Sequence, residues 1–252
     1  MNYHFFTYNK DINQFFFGFY GYGQSSNSFK SFEKIIANDF NLIIFDLPYY
    51  DNDLSYNKKN LAEFFTDFCV EYNIKEFSII AYSIGCRYAL CLSEIIPDKI
   101  KNVFIIAPDG IRMSYVYLFA TRSVIGRFCF RTFLKISPSL ISFLYFMHKK
   151  YFMNNMKFQF IYRNIRSVED RKKLYNCWTK MKNIIPDLKL INKQIKNHSF
   201  RVISFFGKKD FIIKVEFSST LKEKIPAAEI NIMDSGHSLL TQTLFKQIAA
   251  YY

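Results

Sequence analysis

The residues best placed to do chemistry centre on Ser83, in the run Ala81-Tyr82-Ser83-Ile84-Gly85. An apolar stretch from Phe77 to Ala81 precedes it and a helical one from Ile84 to Ile96 follows, so the serine falls at the apex of a strand, a sharp turn and a helix. Small residues at 81 and 85 let so tight a turn close. The hydroxyl is then held clear of the sheet, above the first free N–H groups of a helix. Four further landmarks stand around it. Phe15-Phe16-Phe17-Gly18-Phe19-Tyr20-Gly21 reads as a strand entering a glycine-rich turn, ahead of a helix opening near Ser25. Ile43-Ile44-Phe45-Asp46-Leu47-Pro48 ends a buried strand at an acid. Phe206-Gly207-Lys208-Lys209-Asp210 sets a carboxylate just beyond a strand, and Met233-Asp234-Ser235-Gly236-His237 sets a histidine beyond the last one.

Strands are expected at Tyr3–Tyr8, Gln14–Phe19, Asn41–Phe45, Phe77–Ala81, Val103–Ala107, Arg201–Phe206 and Glu229–Met233. Near-continuous apolar runs such as Val103-Phe104-Ile105-Ile106-Ala107 suit strands buried on both faces. Helices are expected at Asn27–Ala37, Asn60–Tyr72, Ile84–Ile96 and Ser238–Tyr251, with Asn60 and Glu63 forming a capping box. This alternation predicts an α/β fold, a mostly parallel sheet covered by helices on both faces. Between Gly110 and His198 the alternation stops, and helical periodicity without a good strand predicts a helical insert over 111–198 that divides a core of 1–110 and 199–252.

The chain has 252 residues, half of them hydrophobic and 19% aromatic, which argues against disorder. Five cysteines, an odd number without any CxxC, read as reduced thiols and predict a cytoplasmic protein. The N-terminus lacks the pattern of a signal peptide. Arg131, Lys135 and Pro138 interrupt the nearest approach to a membrane span, Phe128 to Met147, so no transmembrane segment is expected. The net charge of +13 is concentrated: residues 111–200 hold 18 Lys+Arg against Glu169, Asp170 and Asp187, a balance of +15, whereas the remainder balances to −2. A solvated helical face explains such a run without further function. The functional alternative is a surface for an acidic carrier protein, an anionic membrane or nucleic acid.

In the order and spacing of these motifs, over residues 13–110 and 200–252, the chain resembles the α/β-hydrolase superfamily. The resemblance implies that Ser83 is a nucleophile on its elbow, Asp210 the acid and His237 the general base of a triad. It assigns the oxyanion hole to the main-chain N–H groups of Ile84 and Phe19, and the block at 111–198 to a cap. Asp109, in Ala107-Pro108-Asp109-Gly110, is the competing acid, because some members take theirs from that strand. Three departures are visible. Alanine replaces the first elbow glycine, Phe17 stands where many members have histidine, and only about 12 residues precede the oxyanion strand, so the usual first strand is expected to be missing.

The implied function is hydrolysis of a carboxylic ester or thioester through an acyl-enzyme, with no cofactor and no metal. His4, His148 and His198 share no metal-ligand spacing. Phe128, Phe130, Phe133, Phe143, Tyr145, Phe146, Met147, Phe152 and Met153 in the insert suggest an acyl or otherwise apolar substrate, and equally the packing of its helices. The alternative is a hydrolase-like scaffold whose basic insert binds an acidic partner or membrane surface. Gly18, Gly21 and Gly23 run in the wrong order for a dinucleotide-binding turn, and no nucleic-acid recognition motif is present.

Overall fold

The computed structural model describes residues 1–48, 56–152 and 156–252, with side chains described outside 150–158. Among these residues seven strands form one sheet: β1 Tyr3–Thr7, β2 Phe15–Phe19, β3 Asn41–Phe45, β4 Phe77–Tyr82, β5 Ile100–Ile106, β6 Arg201–Gly207 and β7 Glu229–Met233. Their spatial order is β1-β3-β2-β4-β5-β6-β7. All neighbours run parallel except β1, which lies antiparallel to β3 at the edge. The expected mostly parallel α/β sheet is therefore present. Every residue of β2, β3 and β4 is buried, as their unbroken apolar runs require for strands covered on both sides.

The helices are α1 Lys30–Ile36, α2 Lys58–Glu71, α3 Cys86–Ile95, α4 Tyr115–Arg122, α5 Val124–Phe133, α6 Pro138–Phe152, α7 Met156–Arg163, α8 Val168–Lys180, α9 Leu188–His198, α10 Phe217–Lys224 and α11 Gln242–Ala249. Two expected starts move. Helix α2 is capped by Asn57, whose side chain accepts the Asn60 N–H at 2.9 Å, so Asn60 lies inside the first turn. Helix α11 begins after Thr241, whose hydroxyl accepts the Leu244 N–H, because Ser238 is taken into the loop that follows His237.

The chain divides into two compact units. One comprises Met1–Leu47, Tyr56–Arg112 and Ile184–Tyr252; the other includes Met113–Asn183. By this division Ile184–His198 groups with the unit that holds the sheet. Helix α9, basic on its outside, buries Leu188 and Ile191. It is tied to α3 where Glu94 accepts the Asp187 N–H at 2.5 Å and the Glu94 carbonyl accepts from Gln194 at 3.2 Å. The run of lysines hid that apolar face.

The core of the first unit is aromatic. Phe17 has no exposed surface and stacks on Phe77 at 4.0 Å. A phenyl ring buried in this way stabilises by roughly 2–3 kcal/mol. Phe17 is therefore a packing residue. In the second unit, Arg171 is fully buried, and among the described residues no acid pairs with it. Its guanidinium donates to the carbonyls of Leu134, Ile136 and Ile165, which holds the chain ends leaving α5 and α7.

Candidate active site

Ser83 sits between β4 and α3 with φ of +53°, in the left-handed region that a non-glycine residue occupies at roughly 1–3 kcal/mol of strain. Its surroundings hold it there. The Asp109 N–H donates to the Ser83 carbonyl at 3.1 Å. On the other side, the end of β2 presses directly on the turn. A Cβ at Gly85 would lie 2.4 Å from the Phe19 carbonyl oxygen and 2.5 Å from that of Tyr20, and one at Gly21 would lie 3.1 Å from the Ser83 Cβ. Ala81, by contrast, is fully buried with its methyl accommodated, so the departure from glycine at that position is harmless. Gly85→Ala pits a methyl against two main-chain oxygens that cannot rotate away. It should lower stability by about 1–3 kcal/mol and cut any turnover at this site at least tenfold, read as thermal melting and kcat; unchanged values would show that β2 can retreat.

Asp210 and His237 arrive on the loops after β6 and β7, which are joined to each other. The Lys208 and Lys209 N–H groups donate to the carbonyls of Met233 and Ser235 at 2.8 and 2.9 Å. Gly207 permits this approach, because its Cβ would meet the Gly236 oxygen at 2.4 Å. The result is a linear contact chain. His237 Nδ1 lies 2.7 Å from Asp210 Oδ2, and His237 Nε2 lies 3.1 Å from Ser83 Oγ. Asp210 Oδ1 accepts the N–H groups of Ile212 and Ile213 at 2.8 and 2.9 Å, so turn formation uses one oxygen and leaves the other for the imidazole. The carboxylate is wholly buried. With its proton on Nδ1, the ring donates to Asp210 and presents Nε2 as an acceptor to the serine hydroxyl.

Phe19 ends β2 with its ring stacked against Phe45 and Tyr88, at 5.5 and 5.4 Å. Ile84 follows Ser83 directly in a short 3-10 turn. Asp109 is engaged elsewhere: its Oδ2 accepts from Arg87 Nε at 3.0 Å and pairs with Arg87 Nη2 at 2.7 Å. Asp46 accepts the Tyr20 hydroxyl at 2.8 Å and lies 3.0 Å from His4 Nε2, so it ties the β2 turn to the sheet edge. Asp234 forms an exposed pair with Lys209.

Two contributors carry no sequence signal of their own. Tyr82 donates its hydroxyl to the His237 carbonyl at 2.8 Å, with its ring 5.3 Å from the imidazole. Burial, with Asp210 adding, pushes the Tyr82 phenol well above its ordinary value, so it remains a donor. Arg87 is the other, one helical turn past the serine. Only the apex position of Ser83 hinted that its neighbours would face other loops.

The sequence profile of the alpha/beta hydrolase fold family matches residues 16–242. The chain belongs to that family. Solved structures agree on the fold. The enol-lactonase from Burkholderia xenovorans LB400 superimposes with a TM-score of 0.66 at 12% identity, covering 99% of this chain and 95% of that one. A carboxylesterase structure from the thaumarchaeon Nitrososphaera gargenis gives 0.66 at 15% identity, over 99% and 93%. A lipase-esterase related protein from Clostridium acetobutylicum ATCC 824 gives 0.60 at 18%, over 100% and 99%. No curated protein matches by sequence. At these identities the likeness is one of fold. This α/β hydrolase carries an alanine in the elbow and a phenylalanine before the glycine of the β2 turn, and its Tyr82 donates to the main-chain carbonyl of His237.

Proposed function

We propose that this α/β hydrolase is a serine hydrolase cleaving a carboxylic ester or thioester through an acyl-enzyme. The observation that carries the reading is the contact chain from Ser83 through His237 to Asp210, at 3.1 and 2.7 Å. A serine hydroxyl is a weak nucleophile until an imidazole takes its proton. In the proposed reaction Ser83 Oγ attacks the substrate carbonyl carbon while His237 Nε2 accepts the hydroxyl proton. Asp210 fixes the tautomer and stabilises the imidazolium that results. The oxyanion is met by the N–H groups of Ile84 and Phe19, each donor of this kind lowering the barrier by about 3 kcal/mol. His237 then gives its proton to the departing alcohol or thiol. A water molecule, deprotonated by the same nitrogen, attacks the acyl-serine, and the acid leaves as Ser83 is restored.

The names of the enol-lactonase and the carboxylesterase point to oxygen esters among proteins of this fold, and the aromatic composition of the inserted sequence favours an acyl group of some length. Of that set, Phe152 and Met153 lie outside the described side chains. A fluorophosphonate probe should label the protein at one site, and p-nitrophenyl esters graded by acyl length should be turned over with a preference beyond acetate. Absence of both labelling and hydrolysis would overturn the reading.

A further inference from the structure

Between Gly110 and Val168 the chain carries ten lysines and arginines and not one acid. The helices of that stretch also leave their large side chains uncovered. On α5, Val124, Ile125 and Phe128 share one helix face and are 75%, 68% and 70% exposed. On α6, Ile141 is buried and Tyr145 stacks on Tyr162 at 4.0 Å, whereas Leu140, Phe143, Leu144 and Phe146 stand in solvent. Tyr115, Val116 and Phe119 of α4 are exposed as well. Helices α4 and α5 cross in backbone contact, since a Cβ at Gly126 would fall 1.9 Å from the Phe119 carbonyl oxygen. Their uncovered residues therefore belong to one hairpin. Among the described residues, Arg122, Arg131, Lys135 and Lys149 of the same segment are exposed and form no ion pair.

Bulky apolar groups in such number are not left in water without a partner surface. Two of the available occupants fit badly. A second copy of the chain would set ten cations against the same ten. An acidic soluble protein would pair the cations but give phenylalanine, isoleucine and leucine faces nothing apolar to enter. An anionic bilayer surface meets both demands, with phosphates for the lysines and arginines and the acyl boundary for the rings. Among the described residues no helix is long and apolar enough to cross a membrane, so such helices would lie in the interface plane. We propose that α4, α5 and α6 dock this protein on anionic lipid, with Phe128, Phe143 and Phe146 entering the headgroup–acyl boundary. Binding is measured without turnover, so this proposal stands or fails apart from the acyl-enzyme reading.

The test is co-sedimentation of the full chain with vesicles of phosphatidylcholine alone and of phosphatidylcholine with phosphatidylglycerol. Partition should be at least tenfold stronger on the anionic vesicles and should weaken with salt. Replacing the three rings together, Phe128→Ser, Phe143→Ser and Phe146→Ser, should reduce it at least tenfold with thermal melting unchanged. Arg122→Gln with Arg131→Gln and Lys135→Gln should flatten the salt dependence. The proposal is overturned by failure to bind the anionic vesicles, or by undiminished binding of the ring variant. Capture of an acidic carrier protein while vesicles stay bare would overturn it too, as would a concentration-dependent dimer that the ring variant abolishes.

Discussion

Ser83→Ala should abolish fluorophosphonate labelling and lower kcat on any ester substrate by at least ~10³-fold, with KM nearly unchanged. The expectation rests on two independent placements. Ser83 lies 3.1 Å from an imidazole nitrogen whose other nitrogen is held by a buried carboxylate. It is also one of four non-glycine residues with positive φ among those described, and the strain is maintained by the Asp109 N–H and by the β2 end packed against Gly85. Alanine can take the same backbone conformation, so the loss should not come from unfolding, and melting should move by less than about 3 °C. A variant that keeps wild-type hydrolysis would move the chemistry to another residue. A variant that melts much lower and loses activity in proportion would mean that the hydroxyl serves packing, an outcome that Ser83→Cys separates by restoring the nucleophile without restoring its size.

Much of this arrangement was legible in the sequence, for reasons that can be given residue by residue. β2, β3 and β4 are buried on both faces, so their apolar runs are continuous and unambiguous. The elbow was readable because a tight turn tolerates only small residues at 81 and 85, and Gly85 faces two carbonyl oxygens. Other features depend on partners far away in the chain. Helix α10, Phe217–Lys224, buries only Ser218 and Leu221, too little to stand out from its polar surroundings. The boundary at Ile184 was obscured because lysines dominate α9 while its apolar face is narrow. Tyr82 looked like one more strand residue, since a hydrogen bond to a carbonyl 155 positions away leaves no local pattern.

The acid is where sequence left two candidates and geometry separates their environments. Asp210→Asn should lower kcat by about 10³–10⁴-fold. The asparagine can keep Oδ1 on the Ile212 and Ile213 N–H groups, so the loop should stand. That puts an NH₂ group opposite His237 Nδ1, where Oδ2 now lies at 2.7 Å. The imidazole must then carry its proton on Nε2 and can no longer accept from Ser83. Asp109→Asn should behave differently. Its carboxylate faces Arg87, whose side chain is 4% exposed, so the change weakens a largely buried ion pair and leaves the imidazole alone. Melting should fall by about 2–6 °C while kcat stays within roughly tenfold of the parent. If the larger fall in kcat follows Asp109, the acid belongs to the β5 loop and Asp210 only builds its turn.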